Sequence, residues 1–165
     1  MPRLQILILS FSFLLLVMIT GIIFDMIGVA TAVADEKPFH AKAAKKQKGA
    51  GHAILMIRHA AKVATFCNDV VGDICGTVSG ALGAGIVFQV VSGRMYLNTY
   101  ESLLSMVMTG LVASVTVGGK AAGKRTALGD SEQIVFMVGR ALARLEQITG
   151  LRIITGKRKS KEKRR

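Results

Sequence analysis

Tryptophan is absent, cysteine occurs twice, and aspartate plus glutamate number 10 against 22 lysines and arginines in 165 residues. Charge of either sign is missing from Leu4 to Phe24 and again from Ile74 to Gly93. Each shortage excludes something. Cys67 and Cys75 are eight positions apart, which on one helix separates them by about 12 Å along the axis. They cannot bridge within that helix, and no metal-type cysteine spacing is present, so they read as small thiols packed against a neighbour. No Ser-His-Asp set, phosphate loop or metal-hydrolase spacing occurs, and the chain is not expected to be an enzyme. The basic segments lack interleaved aromatics, which argues against nucleic acid as a partner.

What is there is apolar and basic. The chain is 51% hydrophobic, has a mean hydropathy of +0.47 and carries a formal charge of +12. The apolar residues gather in long blocks and the cations lie between and after them, which is the signature of a membrane protein. The first block, LQILILSFSFLLLVMITGIIF, is long enough to cross a bilayer. Asp25 interrupts it, and a helix continued through GVATAVA overshoots the hydrocarbon, so tilt, a break or an end near Gly28 is expected. The Ala32-Val33-Ala34 pattern before Asp35 has the form of a signal-peptidase site. The apolar region is longer than a signal h-region, however, and an acid precedes the site.

The fold class that follows is an all-α integral membrane protein with three transmembrane helices, about 4–28, 70–93 and 102–119, and basic juxtamembrane amphipathic helices at about 40–64 and 131–149. Residues 1–150 form one transmembrane domain, and 151–165 form a disordered polybasic tail. Ile54, Leu55, Ile57 and Val63 mix with Arg58, His59 and Lys62, as suits a helix at the lipid interface. Ile134, Val135, Val138, Leu142 and Leu145 give the later helix its apolar stripe. Tyr96 and Tyr100, in the connector between the second and third spans, fit an interface belt. Basic loops stay in the cytoplasm, so the amino terminus lies outside the cell membrane and the carboxyl terminus inside, with anionic inner-leaflet lipids as partners of the cations.

Acids inside such a frame are expensive and mark a functional site by default. At 100° per residue, Asp69, Asp73, Gly76, Gly80 and Gly83 fall in one sector of the second span, so the acids are expected on the inward packing face. Thr109, Gly110, Ser114 and Gly118 form a similar small-residue face on the third. Asp25 lies at a similar depth to Asp69 and Asp73 if the first two spans run antiparallel. With Asn68, and with Thr20, Thr31 or Thr116 nearby, these acids make an all-oxygen set of the kind Mg²⁺ prefers. The bland reading is that Asp69 or Asp73 pairs with Lys62, Arg58 or Lys120, or caps the helix start. His40, His52 and His59 are spread over basic segments and read as solvated or interfacial.

The order of FDMIGVATA, KAAKKQKGAGHAILMIRHAAKVATF, CNDVVGDICG and TVGGKAAGKR followed by SEQIVFMVGRALARL resembles the transmembrane domain of the cyclin M and CorC-type, hemolysin-like magnesium transporters. The resemblance spans nearly the whole chain, through order and spacing more than identity, without the cytoplasmic regulatory domains. It sets Asn68 and Asp69 in the place of that family's paired Asn, and Lys120 in that of its Pro-Lys lysine. Gly28, Thr116 and Gly119 replace its first-span acid, third-span Glu and Pro, while Asp25 and Asp73 are additional acids. The resemblance implies a homodimer with an acidic inner cavity.

The function expected is binding or transport of a divalent cation, Mg²⁺, at Asp25, Asn68, Asp69 and Asp73. The alternatives are a non-transporting membrane scaffold or assembly factor, whose acids serve as interhelical salt bridges, and a holin-like pore suggested by small size and a basic tail.

Overall fold

A computed structural model describes residues 2–91 and 100–149. Tyr96, the outer end of the second span and the polybasic tail lie outside the described residues. The rest is helical: α1 (Pro2–Val33), α2 (Lys37–Ala44), α3 (Ala50–Arg58), α4 (Ala60–Thr65), a π-helical turn (Phe66–Val71), α5 (Gly72–Val91), α6 (Glu101–Gly129) and α7 (Ser131–Thr149). Three stretches are long and apolar enough to cross a membrane: Leu4–Val33, Ala60–Val91 and Glu101–Gly129.

The first span does not stop at Gly28. It runs unbroken to Val33, 32 residues or about 48 Å at 1.5 Å each. The small residues after Asp25 are buried rather than unwound: Gly28, Ala30 and Thr31 are all covered by neighbours. The chain turns only where Asp35 Oδ1 accepts the backbone N–H of Lys37 at 3.2 Å and Pro38 opens α2. The second span begins earlier than Val70, because α4, the π turn and α5 are continuous in space; α3 and α4 part at His59, whose ring Nδ1 lies 2.9 Å from the Leu55 carbonyl. The third span continues ten residues past Gly119, to Gly129.

The contacts fix the directions. Gly21 meets Cys75 and Gly28 meets Asn68, so α1 and the second span are antiparallel. Gly119 meets Ile22 and Gly123 meets Met26, so α6 runs parallel to α1. Gly83 meets Val112 while Gly72 meets Lys120, so α5 and α6 are antiparallel. Midway along the spans, Leu14, Met18, Ile86 and Val112 form a core. A second core sits at the end where α1 finishes, built of Ala30, Phe39, Ala53, Ile54, Ala127 and Val135.

That second core is the underside of a cap made by α2, α3 and α7. Gly49 holds the cap together: its φ of +91° is one that side chains rarely adopt, and a Cβ there would lie 2.6 Å from the Arg140 backbone nitrogen. His52 Nε2 bonds Glu146 Oε2 at 2.7 Å, tying α3 to α7. The Lys42 ammonium stands 4.6 Å from the Phe136 ring centre and 5.1 Å from that of Phe39, a cation–π arrangement joining α2 to α7. Arg58 and His40 converge on one oxygen of Glu36, at 2.7 and 2.8 Å.

Candidate cation site

Asp25 is 4% exposed, and its Oδ2 has no hydrogen-bond partner. Asn68 Oδ1, on the facing helix, is likewise buried and unpartnered. Such oxygens are costly, because desolvation is not offset by a bond. The sequence brings them together by two devices. Gly21 and Gly28 lie one turn to either side of Asp25 on the same face of α1, and without side chains they let the second span close against it; a Cβ at Gly28 would collide with the Asn68 amide. Asp25 therefore looks onto the stretch between Asn68 and Cys75. The second device is the π turn that carries Asn68, a rare local geometry frequent at functional positions.

Lys120 lies at a similar depth on α6. Its Nζ lies 3.2 Å from where a Cβ of Gly72 would be, and its neighbours Gly119 and Gly123 pack on Ile22 and Met26, which flank Asp25. No ion pair links Lys120 to Asp25 among the described residues.

Asp69 and Asp73 do not join this pair. Both are exposed, and the expectation that they turn inward is corrected. The face of the second span that packs on α1 carries Asn68, Cys75 and Ile86, roughly a quarter-turn from the sector of acids and glycines on a wheel of 3.6 residues per turn. Apolar and medium-sized side chains fill that interface, and of the acid-and-glycine sector only Gly83 is buried, against Val112 of α6. Asp73 lines a groove between α5 and α6 instead. Thr109, Gly110, Ser114 and Gly118 are also exposed, so the predicted packing face of the third span is open, while Val112, Gly123 and Ala127 are buried in its place.

The hydroxyls named with the acids are engaged locally. Thr20, Thr31 and Thr116 donate to the carbonyls of Leu16, Ile27 and Val112 at 2.8, 2.7 and 2.7 Å. Neither acid of the second span has an ion-pair partner among the described residues, and Arg58 is taken by Glu36. Outside the spans, the Arg58 guanidinium and then His40 hold the Glu36 carboxyl below its ordinary range. The cysteines are free thiols, with Cys67 buried and Cys75 against Gly21. Among the described residues no three His, Cys, Asp or Glu side chains gather as a metal would need, and a donor pair of one carboxylate and one amide was not separable from its neighbours by spacing alone. The π turn is the feature sequence reading missed: nothing in FCNDVV departs from ordinary helical composition. No protein family, no curated protein and no solved structure matches this chain.

Proposed function

We propose that this is a three-span protein of the cell membrane that binds a hard cation, Mg²⁺, between Asp25 and Asn68. The observation that carries the reading is the pair of buried oxygens without partners on facing helices. Mg²⁺ keeps several of its waters and needs only one or two carboxylates from a protein, so two side-chain oxygens are a sufficient anchor. Asp69 and Asp73 lie outside that anchor as the chain stands alone, and their part is to attract cations to the membrane surface near it. The order of segments shared with cyclin M and CorC-type transporters supports the same reading, with the amino terminus outside and the basic cap facing anionic lipid in the cytoplasm.

A scaffold is favoured by a different observation. The third span is barely covered, and Gly76, Gly80, Gly110 and Gly118 meet nothing within 4 Å, so close-packing faces are open to other helices, including those of a second copy.

The two readings part on metal-dependent stability in detergent. Under the cation reading, Mg²⁺ raises the melting temperature of the wild type, Asp25→Asn and Asn68→Ala abolish the rise, and Glu132→Gln, exposed on α7, keeps it. Asp25→Asn also melts no lower than wild type without metal, because Oδ2 has no hydrogen bond to lose. A wild type indifferent to Mg²⁺, or an Asp25→Asn protein that loses stability equally with and without metal, would leave the scaffold reading.

A further inference from the structure

A groove of about 480 Å³ runs between α5 and α6, outside the Asp25 pocket. Its floor is glycine, with open space above Gly76 and Gly80, and its far wall is Thr109 and Ala113. Asp73 and Lys120 stand at one end, and neither belongs to an ion pair among the described residues. Lys120 is 19 residues from Glu101, where α6 begins, and Asp73 lines the same groove. Along the helix axis this is about 28 Å, close to the ~30 Å of a bilayer's hydrocarbon. In the membrane-spanning orientation, both charges therefore sit at headgroup level and the groove descends from them into the acyl region. From Lys120 to Thr109 it is about 16 Å long.

We propose that this groove seats a zwitterionic aminophospholipid, its phosphate on Lys120, its primary ammonium on Asp73 and one acyl chain along the glycine floor. The charges choose the headgroup. Phosphatidylglycerol satisfies Lys120 but brings only a neutral glycerol to Asp73, which leaves the carboxylate's charge unmatched. A quaternary choline headgroup matches the charge of Asp73 but offers its carboxylate no N–H. A primary ammonium offers three donors and makes a charge-assisted bond. The open glycines leave room for a methylene chain where side chains would fill the space. This inference rests on the spanning orientation and not on the cation site.

Native mass spectrometry of the delipidated protein tests it, with phosphatidylethanolamine, phosphatidylcholine and phosphatidylglycerol of identical acyl chains. Phosphatidylethanolamine is expected to be retained about tenfold better than either competitor, a difference of roughly 1.4 kcal/mol. Asp73→Asn erases its advantage over phosphatidylcholine, Lys120→Gln lowers retention of all three, and Lys124→Gln, one turn beyond the groove, changes nothing. Ala113→Phe fills the groove without touching either charge and removes the retention. Equal retention of the three lipids by the wild type, preference for phosphatidylglycerol, or undiminished binding to Ala113→Phe overturns the proposal. So does efficient cross-linking between copies through a cysteine at Thr77, which would mean that a helix occupies the groove. Asp25→Asn leaves the lipid preference intact, so failure here is distinguishable from failure of the cation site.

Discussion

At the scale of single residues, the chain spends stability on Asp25. A buried carboxylate oxygen without a donor costs free energy in the empty protein, and the neighbouring glycines are what hold it opposite Asn68. Gly28→Ala tests that placement directly. The new methyl collides with the Asn68 amide, which must swing away from Asp25, and the Mg²⁺-dependent rise in melting temperature is expected to need about tenfold more metal, the scale of losing a positioning contact. Unchanged metal dependence in Gly28→Ala would show that Asn68 contributes nothing. Asp25 was legible in the sequence as an acid interrupting an apolar run. Its isolation from Asp69 and Asp73 was not, because a helical wheel gives the angle between residues but not which angle faces a neighbour.

Elements are joined in the cap by polar contacts that pH can reach. Glu36 accepts from Arg58 of α3 and from His40 of α2, and its folded-state pKa is lowered, chiefly by Arg58. A lowered carboxylate pKa adds stability that is complete above the unfolded value and is lost as pH falls through the folded one. Wild type should therefore melt above Glu36→Gln at neutral pH, and the gap should close as pH drops below the ordinary value of 4.5. A gap that does not narrow at all as the pH falls below 4.5 would mean that the carboxylate's charge is not what joins α2 to α3. The glutamate is exposed enough that the effect is small. Sequence reading placed the final helix, Ser131–Thr149, at its observed limits, since Asp130 and Ser131 break the chain and the apolar stripe follows at helical spacing. The two glycines Gly49 and Gly51 announced two short helices in the basic segment, and the break at Gly49 is observed; the further division of α3 from α4 at His59 was not announced, because no Gly or Pro marks it.

For the whole molecule, the arrangement is three long helices, alternating in direction, with the α2, α3 and α7 cap at one end. In the proposed orientation the cap faces the cytoplasm. In a background with Cys67 and Cys75 changed to serine, a single cysteine at Lys48, exposed in the cap, should resist a membrane-impermeant maleimide in intact cells and react once they are opened. One at Gln5, exposed near the start of α1, should react in both. The reverse pattern would turn the molecule over and place the cap, with its cations, outside.

The sequence by itself determined the number of long helices apolar enough to cross a bilayer, because a run of uncharged residues is fixed by composition, whatever the helices later touch. It also marked Asp25 as anomalous, by charge alone. Only the tertiary structure decided that Asn68 packs on Gly28, one turn from Asp25, while Asp69 and Asp73 are exposed. That choice depends on which stripe of each helix buries most against its neighbours, and on a π turn that no local composition announces.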